Sequence, residues 1–237
     1  MGIHGQDNKI FEKTMQIVRI WDLPTRLFHW VLALAVIGLV VTGKVGGNAM
    51  VWHFRCGYLV MSLLLFRVVW GLVGGYWSRF YNFMYSPAAV LRYLRGERNP
   101  TQSVGHSPLG ALSVFAMLGF LTAQVATGLI SDDEIDTSGP LAKWASSALV
   151  SSATFYHRKI GKVALIVLIL THIGAIAYYR FKKRDPLLSA MLHGDKPIDQ
   201  PTPGSRDDLV SRLGALVIYL LCALAVWAML AIASAQP

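Results

Sequence analysis

Residues 156–180, YHRKIGKVALIVLILTHIGAIAYYR, read as one apolar helix with a basic lip at each end and a histidine near each end. His157 and His172 lie 15 positions apart. That spacing is roughly 22 Å of helical rise, most of a bilayer core of about 30 Å. At about 100° per residue, the two rings come out only about 60° apart around the axis. One helix therefore presents two imidazoles on much the same side, at two membrane depths.

The rest of the chain shares this apolar character. Its 237 residues are 54% hydrophobic and 15% charged, a charged share well below the roughly 25% of a soluble domain. Five long segments are nearly free of charge, and in a bilayer each must satisfy its own backbone hydrogen bonds, so each is a helix. The short alternating segments of a membrane barrel are missing. The fold class is an all-α integral membrane protein, a transmembrane helical bundle with five spans. The first 26 residues are polar and no small-residue cleavage signal follows the first apolar run, which argues against secretion as a soluble protein. The net charge of +9 sits in loops flanking apolar helices, which argues against nucleic acid as a partner. Cys56 and Cys222 form no C-x-x-C pair, which excludes thiolate zinc, iron–sulfur and covalent haem motifs, and both suit helix packing.

In order, a polar arm (1–26) ends in WDLPTRLFHW, where Asp22 ahead of Pro24 signals a helix start. The five helices are predicted at Thr25–Gly43, Trp52–Gly74, Pro108–Ser131, Tyr156–Arg180 and Leu213–Ala235. Gly46-Gly47 turns the first two into an antiparallel hairpin. The chain thus divides into the arm, a four-helix core (27–180), a basic loop (181–212) and a fifth helix (213–237). Loops 75–107 and 180–212 each contain a short Pro-started, Gly-stopped helical piece, and a further surface helix is expected after Gly139-Pro140. The arm and these two loops carry four, four and seven Lys/Arg. The positive-inside rule puts them in the cytoplasm and the C-terminus outside.

Depth sorts the histidines. His29, near the start of helix one, shares the inner side with His172. His53, opening helix two, shares the outer side with His157. Each pair joins facing helices, the usual way a bundle holds a cofactor. Two neutral imidazoles on one iron leave no open position, which suits electron transfer through two b haems held between helices 1, 2 and 4. For any single histidine, a hydrogen-bonded packing role or a proton relay competes with ligation. The two depth-matched pairs favour the di-haem assignment, with iron ligands His29, His53, His157 and His172. Gly57 and Gly161 follow His53 and His157 by four positions, one turn along the same face, and leave room for a flat macrocycle. Arg67 lies 14 positions after His53, roughly 21 Å deeper, where a haem propionate or a lipid phosphate would offset its charge. His4, His106 and His193 fall in inner segments and read as solvated.

The segments WDLPTRLFHW, the His53-started helix running through Arg67 into WGLVGG, TGLISDDEIDTSGPLA, and HRKIGK followed by THIGA together resemble bacterial di-haem b-type cytochromes. This is the cytochrome b561 group, which includes the membrane cytochrome subunits of nickel–iron hydrogenases. The resemblance covers roughly residues 15–200 and is specific in combination. It implies an inner-membrane bundle with two b haems, whose histidines match His29 with His172 and His53 with His157. It also implies electron exchange between a membrane quinone and a periplasmic redox protein, such as a c-type cytochrome or a hydrogenase-like partner. The fifth helix departs from the four-helix members and fits the hydrogenase-subunit branch.

The acidic Asp132, Asp133, Glu134 and Asp136 could steer a basic partner. Two other functions stand beside this one. Superoxide oxidation coupled to quinone reduction would use the outer cations Arg55, Arg158, Lys159 and Lys162. A haem-free membrane anchor or transporter would use the histidines as polar groups. Membrane lipid surrounds the bundle, and an oligomer is compatible with all three.

Overall fold

The computed structural model describes residues 15–97, 104–133 and 137–235. Five helices are long and apolar enough to cross a membrane: 23–45, 47–73, 108–130, 147–183 and 209–235.

The first, α1 (Leu23–Val45), starts where Asp22 caps it by accepting from Thr25 N at 2.8 Å, with Pro24 in the first turn, where its missing N–H costs nothing. It ends at Gly46, whose φ of 68° lets the chain reverse. A single tight turn, Gly47–Ala49, leads into α2 (Met50–Val73). After α2 come the short α3 (Pro87–Leu94) and the third span, α4 (Pro108–Ile130). Ser86 and Ser107 cap them by accepting from Ala89 N and Gly110 N.

The fourth span differs from its sequence expectation. It begins at Ser147, nine positions earlier, as α5 (Ser147–Phe155). It widens into a π-helical turn over Tyr156–Gly161 and continues as α6 (Lys162–Tyr178). A second π-helical turn, Tyr179–Lys183, ends at Arg184 in the left-handed conformation. The piece expected after Gly139-Pro140 is a one-turn helix, Ala142–Trp144. Beyond α7 (Leu187–His193), the chain finishes with α8 (Leu209–Ala235).

Association of such helices gains little from the hydrophobic effect, because lipid is as apolar as leucine, so close packing decides the arrangement. Contacts run chiefly from α1 to α2, from α2 to α8 and α4, and from α4 to α6. Ala35, Val60, Leu64, Leu121 and Leu165 meet in the centre of the bundle. A second cluster joins Phe28, Leu63, Phe66 and Trp70 to Ala215 of α8. The fifth helix, set apart from the core in the sequence division, therefore shares the core of α1 and α2.

One end of the bundle carries a folded cap. The arm contributes β1 (Gln16–Arg19), which pairs antiparallel with β2 (Asp195–Ile198), Gln16 opposite Ile198 and Arg19 opposite Asp195. Val18, Ile20, Trp21, Val104, Ala190 and Ile198 bury a small core there. Asp207 ties the cap to the membrane helices by accepting from Leu23 N at 3.1 Å and pairing with Arg19 and Arg212 at 3.0 Å each. Asp22 is fully buried and also accepts from Gly75 N, Ser78 Oγ and Trp70 Nε1, which fastens the start of α1 to the end of α2. The segments read from sequence as arm and loop are thus partly a packed cap. His4, Glu134 and Asp136 lie outside the described residues.

Candidate cofactor sites

At the end away from the cap, His53 of α2 faces His157 of the π-helical turn, with ring centroids 6.2 Å apart and ring planes 83° apart. Both rings are held from behind. His53 Nδ1 lies 3.0 Å from Leu39 O and 3.2 Å from Thr42 Oγ1, both on α1. His157 Nδ1 lies 2.9 Å from Gln124 O on α4. A carbonyl oxygen only accepts, so Nδ1 of each ring carries the proton and Nε2 keeps its lone pair. This is the tautomer a metal needs, and the backbone hydrogen bond orients the ring and raises its basicity.

Gln124 closes a second contact, donating from Nε2 to His157 O at 2.9 Å. That carbonyl would accept from Gly161 N–H in a regular α-helix. A side chain entering the ladder is a recognised origin of local helix distortion, and here it coincides with the π-helical turn. Glycines admit the rings. A Cβ on Gly128 would stand 2.8 Å from His157 Cε1, and one on Gly43 would stand 3.0 Å from His53 Cε1.

The two glycines singled out from sequence behave differently. Beside Gly57 a Cβ would meet nothing within 4 Å, so open space adjoins the helix one turn after His53. Beside Gly161 the space is filled by Gln124 Oε1. Gly161 makes room in this structure for the glutamine that contacts His157. Gln124, Gly128, Gly43, Leu39 and Thr42 were not picked out as site residues. The one visible signal was a lone amide, Gln124, in an otherwise apolar helix.

At the cap end, His29 of α1 faces His172 of α6, with centroids 6.4 Å apart and planes 48° apart. Trp30 meets His29 edge-on at 5.0 Å. Among the described residues, His29 Nδ1 is buried without a hydrogen-bond partner. Arg67 is 3% exposed, its guanidinium lies 4.5 Å over the Phe80 ring, and its Nη1 is buried with no partner among the described residues. His106 is half-buried, less solvated than its loop position suggests. Its ring packs against Trp21 at 4.6 Å and Phe83 at 4.3 Å, and its Nδ1 is buried with no partner among the described residues. Burial, then the charges of Arg67 and His172, push its pKa down to about 3, so it is neutral at neutral pH.

Among the described residues, no three or more His, Cys, Asp or Glu side chains converge on one point. The imidazoles instead come in twos, the donor set for a metal that brings its other ligands with it. A metal bridging two imidazole nitrogens at about 2 Å each sets the ring centroids roughly 6.3 Å apart. Both pairs stand at that separation, and the site residues fit an axially ligated macrocycle.

Around the far end, Arg55, Arg158, Lys159 and Lys162 are exposed. Asp133 is engaged within its own turn, accepting from Thr137 N at 2.9 Å and from Thr137 Oγ1. Cys56 and Cys222 are free thiols on α2 and α8.

The model of the prokaryotic cytochrome b561 family matches residues 20–194. Among curated proteins, the chain is 28% identical over 217 residues to a probable Ni/Fe-hydrogenase B-type cytochrome subunit of Bradyrhizobium diazoefficiens, covering 76% of this chain and 85% of that protein. It is 29% identical over 216 residues to the protein of that name from Azotobacter vinelandii, covering 75% and 87%. The corresponding figures for Rhizobium leguminosarum bv. viciae are 25% over 231 residues, covering 81% and 92%. No solved structure matches the chain.

Proposed function

The chain belongs to the prokaryotic cytochrome b561 family of membrane electron-transfer proteins, and on that premise we propose that it holds two b haems, one per leaflet, that relay single electrons between a membrane quinone and a redox protein at the far end. The observation that carries this proposal is the pair of imidazole separations, 6.2 Å and 6.4 Å, at opposite ends of one bundle. Each histidine pair would hold one haem, which would supply one-electron chemistry there.

The protein's own residues do the rest. His53 and His157 present Nε2 lone pairs, kept in that tautomer by the Leu39 and Gln124 carbonyls. His29 and His172 form the cap-end pair. Gly57 leaves the flank of α2 open beside the far-end pair. Arg67 offers a cation to a carboxylate of the cap-end haem. With apolar helices around both pairs, the ligand set and its hydrogen bonds would govern the potentials.

The Lys/Arg-rich cap end is assigned to the cytoplasm of the bacterial inner membrane, which puts the C-terminus and the far-end pair on the periplasmic side. A periplasmic redox protein then meets the far-end haem. The names of the relatives make a hydrogenase one candidate partner, and a c-type cytochrome is the other. The exposed cations beside His157 favour one alternative, oxidation of the small anion superoxide coupled to quinone reduction.

Haem extraction and a redox titration of the purified protein test the proposal. Two b haems per chain with separable midpoints are expected, and fewer than two would remove the relay. Rapid reduction of the haems by superoxide in stopped flow, with slow exchange to any redox protein, would favour the alternative.

A further inference from the structure

Two charged side chains are buried deeply near the cap end, Asp22 and Arg67. They do not neutralise each other through a hydrogen bond. Asp22 accepts from Thr25 N at 2.8 Å, Ser78 Oγ at 2.8 Å, Gly75 N at 3.1 Å and Trp70 Nε1 at 3.3 Å, so neutral donors occupy its acceptor sites. Arg67 has the face of Phe80 on one side and a buried Nη1 with no acceptor. A guanidinium cannot shed its proton, and a buried unpaired charge is costly. The Asp22 carboxylate acts on Arg67 only through space, so what this site lacks is an acceptor bonded to Nη1.

A second buried ring nitrogen without a partner among the described residues stands in the same region. Trp21 and Phe83 clamp the His106 ring, Tyr85 Oη donates to His106 O at 2.9 Å, and Nδ1 is left buried without a partner. Phe80, which carries the Arg67 guanidinium on its face, meets Phe83 at 5.9 Å, and Phe83 packs on the His106 ring, so both vacancies lie in one aromatic cluster. Phe28 and Phe66, the chain neighbours of His29 and Arg67, pack at 6.4 Å, which sets this cluster at the level of the cap-end pair.

We propose that Arg67 Nη1 and His106 Nδ1 together form the carboxylate subsite of the cap-end haem, two donors converging on one propionate. This rests on the di-haem proposal above. A carboxylate answers both vacancies at once, whereas a neutral quinone carbonyl would leave the Arg67 charge uncompensated. His106 is a positioning residue, since it acts on the haem edge and not on the iron.

The test uses the full-length, haem-loaded protein in detergent or nanodiscs and reads each haem's midpoint potential and low-spin EPR signal. The cap-end haem is identified as the one missing from His172→Ala. His106→Phe keeps the ring packing and removes the donor. It is expected to lower the cap-end potential, because the less compensated carboxylate favours the oxidised iron, while the far-end potential stays put. Arg67→Gln is expected to shift the same haem in the same direction. The double variant should fall short of the sum, as it must if both residues address one group. His106→Gln retains a donor and is expected to recover most of the wild-type potential, and it serves if the Phe variant folds poorly. Two bound haems with an unmoved cap-end potential in the Phe variant, or equal shifts in Phe and Gln, would overturn this subsite and leave the relay standing. A protein without b haem would overturn both.

Discussion

His157 and Gln124 grip each other at two points: His157 Nδ1 donates to Gln124 O, and Gln124 Nε2 donates to His157 O, each at 2.9 Å. The clasp joins α4 to the π-helical turn and leaves His157 Nε2 with its lone pair. Gln124→Leu keeps the backbone acceptor and removes the side-chain half of the clasp. The far-end haem is then expected to be held about tenfold or more weakly, the usual cost of losing a residue that orients a ligand. Competition for haem with apomyoglobin, followed by its optical spectrum, checks this. The cap-end haem should not respond.

The two histidines of the fourth span should act separately. His157→Ala is expected to remove mainly the far-end haem, and His172→Ala mainly the cap-end one. Haem per chain and the number of redox waves report the outcome. If either substitution emptied both sites in a folded protein, independent sites on a shared helix would be the wrong description.

Gly57 offers a substitution that separates cofactor fit from protein packing. A Cβ there touches nothing within 4 Å, so Gly57→Leu should leave the thermal stability of haem-free protein nearly unchanged. Its side chain enters the space assigned to the macrocycle, so far-end haem occupancy should drop several-fold. Gly128→Ala is the contrasting case, since its Cβ would stand 2.8 Å from His157 Cε1. It should cost about 1–3 kcal/mol through overpacking. Differential scanning fluorimetry with and without haem distinguishes the two.

Asp207 sets an acid limit on the cap. Burial alone would raise its carboxyl pKa, but the hydrogen bonds from Arg212 and Leu23 N and the charges of Arg212 and Arg19 outweigh that and lower it. A carboxyl lowered by folding contributes stability above its unfolded pKa of about 3.9 and loses that contribution as pH falls through the folded value. Cap unfolding, followed by protease cleavage near residues 195–207, is therefore expected to set in below about pH 4. Asp207→Asn should lose about 1.5–3 kcal/mol at neutral pH, the range for hydrogen bonds to charged groups, and its acid transition should be shallower. A variant as stable as the wild type at pH 7 would show that the Arg19–Asp207–Arg212 cluster contributes nothing.

Much of this protein is determined by its sequence alone. A run of some 20 apolar residues has only one way to satisfy its backbone in lipid, so five spans follow from hydropathy. Helical rise converts position into depth, so the matching of His29 with His172 and of His53 with His157 also follows from spacing. Tertiary structure decided what those rings are bonded to. The acceptor for His157 lies 33 positions away on Gln124, and that for His53 lies 14 positions away on Leu39, so no local pattern reveals the tautomers. The π-helical turn arises where a neighbouring helix competes for a carbonyl, which intrinsic propensity does not encode. His106 sits in a polar loop by sequence, and only the cap formed by the arm, Trp21 and Phe83 encloses it. Spacing along one chain sets depth and face, while a buried polar atom's partner depends on which other segment folds against it.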